Sequence, residues 1–294
     1  MSDDVETMRE SMRAVAAVPT QLASFGVERV TERDGLWLER LSISGDGRVR
    51  FSSNRSFGDA SGEEIGWFEG DLADERRADL VRDVEAALPG GPTPNLSPGD
   101  VRGTLSVVAA GARWERVVGG GPPALEPYQP LLRTLDALAF AARARPVRTL
   151  GLNVQLGTPL RAGEQSVPVE LTFENRGTAG YWLRNPSAGL ADESTEHVRL
   201  WYAARPIEEP GVTALPVVPI WSPLEPMTRA QRPLIWIGPR STETRRFTAS
   251  LILDAGPHFV RGSFASYDGG DTVAGQPHLR GCAFSRELEV EVSS

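Results

Sequence analysis

Lysine is missing from this chain of 294 residues; all 31 basic residues are arginine. No Schiff base, no phosphate-loop lysine and no Ser–Lys dyad can therefore form. An all-arginine basic set is what the codon bias of a GC-rich bacterial genome produces. Cysteine is almost missing too. Cys282 alone excludes an intramolecular disulfide and a multi-cysteine zinc site. The histidines are His197, His258 and His278, and none falls at the His-x-x-x-His spacing of a zinc pair. They read as scattered surface or edge residues, and no metal or cofactor is expected. Positive charge is short: 31 bases against 39 acids give a net charge of −8 and a pI near 5.1. A nucleic-acid or anionic-membrane surface needs clustered positive charge, so neither partner is expected. No apolar run approaches the roughly 18 residues of a membrane helix. The start, Met1-Ser2-Asp3-Asp4-Val5-Glu6, is acidic and lacks the apolar stretch of a secretory leader. A cytoplasmic protein is the expectation.

What is present describes a folded chain. Apolar residues make up 40% and charged residues 24%, enough for ordinary cores. The 23 prolines and 30 glycines call for many turns and short strands. Domains run to roughly 100–200 residues, so two are expected.

The clearest stretch is Val167 to Gly177. Val167, Val169, Leu171 and Phe173 alternate with Glu170, Thr172 and Glu174, one dry face and one wet, as in a half-buried strand. Asn175 and Gly177 are expected to supply the positive φ that ends it.

In the first half, Val5, Met8, Met12, Val15 and Val18 have helical spacing and Pro19 closes the run. That helix packs on its own domain or offers an amphipathic face to a partner. Strands are expected at Leu36–Ser44 and Arg48–Ser53 around a Gly45-Asp46-Gly47 turn, and near Ile65–Phe68. A helix capped by Asp71 or Asp74 carries Leu80, Val81, Val84 and Leu88 on one face. A hairpin around Ala110-Gly111 joins Val101–Ala109 to Arg113–Val118. Gly119-Gly120-Gly121-Pro122-Pro123 reads as a flexible hinge, and a last helix runs from Pro130 to Arg145. Segregated strands and helices indicate an α+β domain with an antiparallel sheet over residues 1–146.

Beyond Pro146 the helical period disappears. Strands are readable at Arg148–Leu156, Val167–Glu174, Gly180–Leu183, His197–Ala203, Leu234–Ile237, Arg246–Leu253, His258–Tyr267 and Arg286–Val292. This rhythm predicts an all-β sandwich over residues 147–294. One segment departs from it. Seven prolines fall between Arg205 and Pro233, and Ile220, Trp221, Leu224 and Met227 sit among them. Proline prevents a central strand there. A loop this long is uncommon unless functional, so these four apolar residues either cover the core or form a partner-binding surface.

Chemical motifs are sparse. Asp254, Asp268 and Asp271 lie near glycines but match no calcium loop, and polar turns explain them. The acid-rich run from Asp59 to Glu75 reads as a solvated loop entering a helix N-terminus or as a face for a basic partner. No Gly-x-Ser-x-Gly elbow is present. Ser–His–Asp catalysis is a spatial arrangement that sequence does not display.

Two resemblances follow from these residues. The order of elements over residues 36–145, with Leu105 and Val107 in a late strand and Pro130-Leu131-Leu132…Leu135 opening the last helix, resembles the emfourin-type small inhibitors of thermolysin-like metallopeptidases. Arg55-Ser56-Phe57-Gly58 is partly similar to the glycine-rich start of that family. In the second half, Ala255-Gly256-Pro257-His258-Phe259-Val260-Arg261-Gly262 resembles the Gly-x-Tyr-x-Val segment of bacterial immunoglobulin-like modules, with Phe259 in the aromatic position. Intracellular proteinase inhibitors use a similar sandwich. The expected protein is non-enzymatic and acts on a protein partner, with peptidase inhibition as the form the resemblance implies. A structural or assembly component of a complex is the alternative, and an enzyme with dispersed catalytic residues the third.

Overall fold

A computed structural model describes residues 3–17, 25–33, 36–54, 64–91, 102–119, 122–188, 195–207, 213–219, 233–266 and 272–294. The protein is mostly β, with antiparallel sheets and few helices. It forms two compact units, one from Met1–Ser53 with Trp67–Pro146 and one from Asn54–Gly66 with Val147–Ser294.

The first unit runs α1 (Asp3–Ala17), β1 (Gly26–Arg33), β2 (Leu36–Ser44), β3 (Arg48–Ser53), β4 (Ile65–Asp71), α2 (Asp74–Ala87), β5 (Arg102–Ala109), β6 (Ala112–Gly119), α3 (Pro122–Leu125), a 3₁₀ turn (Glu126–Tyr128) and α4 (Gln129–Ala142). Its strands lie in the order β6-β5-β1-β2-β3-β4. Strand alternation sends Val27, Leu41, Ile43, Val49, Phe51, Leu105 and Val107 to one face, where the helices cover them. Val5, Met8 and Met12 of α1 are buried in that core, so their helical spacing marks a packing face and not a free one. Leu131, Leu135 and Leu138 of α4 are buried with them, each worth about 1.5–3 kcal/mol in removed apolar surface. The Arg143 guanidinium lies over the Phe51 and Phe68 rings at 4.9 and 5.4 Å.

Several local expectations need correction here. β1 has no clear period two, yet it is central, pairing with both β2 and β5. Its inward Arg29 is held by Asp136 at 2.5 Å. The N-cap of α2 is Ala73, with no side-chain bond. Asp71 pairs with Arg145 instead, and Asp74 is already inside the helix. Pro122 and Pro123 open a short helix and not a flexible break, because their fixed φ suits a first turn. The Ala110-Gly111 hairpin is as expected, with both residues at positive φ, 47° and 86°.

The second unit runs β7 (Pro146–Leu156), β8 (Leu160–Arg161), β9 (Gly163–Asn175), β10 (Tyr181–Arg184), β11 (Thr195–Ala203), β12 (Thr213–Pro219), β13 (Leu234–Ile237), β14 (Ser241–Leu253), β15 (Gly256–Ser266), β16 (Thr272–Val273), β17 (Gln276–Pro277), β18 (Gly281–Phe284) and β19 (Leu288–Ser293). The main order is β7-β9-β14-β12-β11-β15-β19-β8, with β18 beside β15. β10 pairs with β13, and β16 with β17. The dry face of β9 meets that of β15. Phe173 and Phe264 pack edge to face at 5.4 Å, and a Cβ on Gly262 would press on Leu171. Asn54–Gly66 precedes Pro146 but groups with this unit, where Asn54 accepts from the Cys282 amide at 2.7 Å.

Two readings are overturned in this unit. The proline-rich segment contains a strand after all, β12, which pairs with β11 over Thr213–Val217 and with β14 only at Val218 and Pro219. Each of its residues therefore has a ladder partner on one side only, as at a sheet edge, where a missing N–H is tolerated. Neither Asn175 nor Gly177 has positive φ. β9 continues through Asn175, which pairs with Ser241. Gly177 is required by proximity, since a Cβ there would overlap the Val147 carbonyl.

Candidate recognition face

The four apolar residues named above, Ile220, Trp221, Leu224 and Met227, lie outside the described residues. So do Asp268 and Asp271, Arg55 to Gly58, and the acid-rich run before Glu64. The chain emerges at Pro233, whose carbonyl accepts from the Asn185 amide at 2.8 Å, and enters β13.

β10 and β13 form an antiparallel ribbon with Tyr181 opposite Ile237, Trp182 opposite Trp236, Leu183 opposite Ile235 and Arg184 opposite Leu234. Period two then sorts the side chains. Tyr181, Leu183, Ile235 and Ile237 are buried. Trp182, Arg184, Leu234 and Trp236 point the other way, and Trp236 is 43% exposed.

Trp236 is exposed but held. Its ring meets Trp182 edge to face, with centroids 5.4 Å apart at 69°. On another side it lies against Gly180, where any Cβ would overlap the indole. Gly180 is fixed in turn, since its carbonyl accepts from Arg148 Nε at 3.1 Å. Behind the ribbon, Tyr181 donates to the Thr149 carbonyl at 2.7 Å. Burial, with a smaller contribution from the Glu64 charge, pushes the Tyr181 hydroxyl well above the usual phenol range.

Asn175 anchors the turn below. Its Oδ1 accepts from the Thr149 and Gly177 amides at 3.0 and 2.9 Å. Its Nδ2 donates to the Ala179 and Gly238 carbonyls at 3.0 and 2.8 Å. Glu64 pairs with Arg176 at the same turn.

His278 bridges to Trp182 in parallel register, and the Leu279 amide donates to the Trp182 carbonyl at 2.9 Å. The Trp182 indole N–H is buried with no acceptor among the described residues. His258 and His278 are 5% and 4% exposed, which corrects their reading as surface residues. Among the described residues, no three His, Cys, Asp or Glu side chains gather as metal ligands would.

Other exposed large apolar residues, such as Phe140 on α4 and Ile252 on β14, lack an aromatic neighbour of this kind among the described contacts. The tryptophan pair was not legible as a site. Leu234-Ile235-Trp236-Ile237 is apolar throughout, so its period does not tell which side faces water, and Trp182 becomes its neighbour only by pairing. A held aromatic pair of this kind can bind, but it carries no nucleophile or acid–base pair. No protein-family model matches the chain, and no curated protein shows significant similarity to it.

Proposed function

We propose that this protein is a non-catalytic protein-recognition module whose contact face is the Trp182–Trp236 pair. The observation that supports it is Trp236 itself, exposed to water yet held by Trp182 and by the Gly180 backbone. An aromatic side chain already fixed in place loses little freedom on binding, and tryptophan is enriched among interface hot spots. The second unit is, in this reading, an immunoglobulin-like sandwich, in keeping with the Phe173–Phe264 contact between β9 and β15. In this reading the function takes one of two forms: inhibition of a peptidase or a fixed place in an assembly.

Replacing Trp236 by alanine tests the face. Binding of a partner captured by the intact chain should weaken by about 2 kcal/mol, roughly thirtyfold, with the melting temperature nearly kept. Unchanged affinity would remove the pair from the contact. The inhibitor form predicts that the chain slows a thermolysin-like peptidase when present at micromolar concentration. Unchanged peptidase rates leave the assembly form.

A further inference from the structure

The surroundings of the tryptophan pair reverse the charge of the chain. Segments 176–188, 233–242 and 272–280 hold the ribbon, the turns at its ends and the residue bridged to it. They contain Arg176, Arg184, Arg240 and Arg280 and no aspartate or glutamate, in a protein of net charge −8. The placement is not scattered. Arg184 follows Trp182 by two positions and so shares its face. Arg280 follows by two positions His278, the residue bridged to Trp182. Arg240 is exposed on the turn leaving the other end of β13, where its amide donates to the Gly177 carbonyl at 3.1 Å. Cations therefore flank the pair at both ends of the ribbon. Arg176 is engaged with Glu64, and Arg184 and Arg280 also make contacts within the chain. An incoming carboxylate adds to those contacts, because a guanidinium offers five N–H donors in a fork.

We infer that the face takes an acidic peptide segment of a protein partner, seating an apolar side chain on Trp236 between carboxylates held by the arginines. This rests on the recognition reading above. The charge complementarity is local, which is how an acidic protein can select an acidic segment against its own net charge.

The test uses the full chain and three fluorescein-labelled peptides of equal length around a central Phe-Pro, carrying glutamates, glutamines or arginines. Anisotropy titrations should show the glutamate peptide binding about tenfold or more tightly than the glutamine peptide, the arginine peptide binding worst, and the advantage shrinking as salt rises. Arg240→Gln and Arg184→Gln should each narrow the advantage, with melting temperatures checked in parallel. Trp236→Ala should weaken the glutamate and glutamine peptides together. Equal binding of those two, lost in Trp236→Ala, would overturn the acidic preference and leave the recognition face standing. No binding, or binding indifferent to Trp236→Ala, would overturn both.

Discussion

Asn175 is where a single atom exchange tests the structural logic beneath the ribbon. Its side chain is fully buried and makes four hydrogen bonds, two accepted and two donated. Asn175→Ala would strand the Thr149 and Gly177 amides and the Ala179 carbonyl, while the Gly238 carbonyl keeps the Ser241 hydroxyl at 2.7 Å. A buried unsatisfied group costs about 1–3 kcal/mol. Carbonyls find substitutes more readily than amides, so the two N–H groups dominate, and relaxation lowers the sum. The expected loss is about 3 kcal/mol. Asn175→Asp is the sharper variant because its shape is the same. It keeps the acceptor for the two amides but turns the donor into an oxygen facing two carbonyls. Burial and those carbonyls raise the folded-state pKa of the new carboxyl above its unfolded value near 3.9. A raised pKa means that the folded state holds the proton more tightly, so stability falls as pH rises through this range. Asn175→Asp should therefore be about as damaging as alanine at neutral pH and recover partly in acid. Urea unfolding of the full chain at pH 7 and pH 5, followed by tryptophan fluorescence, measures both. Asn153, exposed on β7, supplies the control, with Asn153→Asp expected to be nearly neutral. If Asn175→Asp matches the parent at pH 7, the hydrogen-bond account of this turn is wrong.

Ala110 occupies a left-handed conformation at φ 47° beside Gly111, and an alanine there costs about 1 kcal/mol relative to a residue suited to it. Ala110→Asn, the preferred residue of this turn type, should stabilise the first unit by up to about 1 kcal/mol in chemical denaturation, and a loss would contradict the geometry. Tyr181 is raised by burial above an ordinary value of 10.0, so the stability tied to its neutral form is complete below that pH. It should drain away as pH climbs beyond 10.0, toward the folded-state pKa. Tyr181→Phe should cost about 1 kcal/mol at neutral pH and remove that part of the alkaline loss, which unfolding at pH 9 and pH 11 would show.

Much of the fold was readable because its signals are local. Val49 and Phe51 in β3, and Val167 through Phe173 in β9, alternate without interruption, and those strands stand within a few residues of their expected ends. α2 and α4 carry their apolar residues at helical spacing and bury them. β12 is hidden because proline's bar on a central strand does not act on a strand as a whole. It acts residue by residue, and β12 has one neighbour at a time. The short β8, β16, β17 and β18 are too brief to show any period.

β1 shows the deeper reason for what was missed. Its inward side is Val27 followed by Arg29, and its outward side includes Val30, so the apolar pattern contradicts the burial. Arg29 can face the core because Asp136, 107 positions later on α4, meets its guanidinium. Asn175 is the same case, with partners from Thr149 to Gly238. A buried polar group looks like a surface residue to any local rule, since the atoms that satisfy it belong to other elements. The tryptophan face obeys the same logic in reverse. Trp236 sits in an apolar run that reads as core, and it becomes a surface feature only because β10 brings Trp182 and Gly180 against it. The proposed contact face and the buried polar anchors thus both lie where pairing overrides pattern, and the residues to mutate first are the ones whose local sequence gives the wrong side.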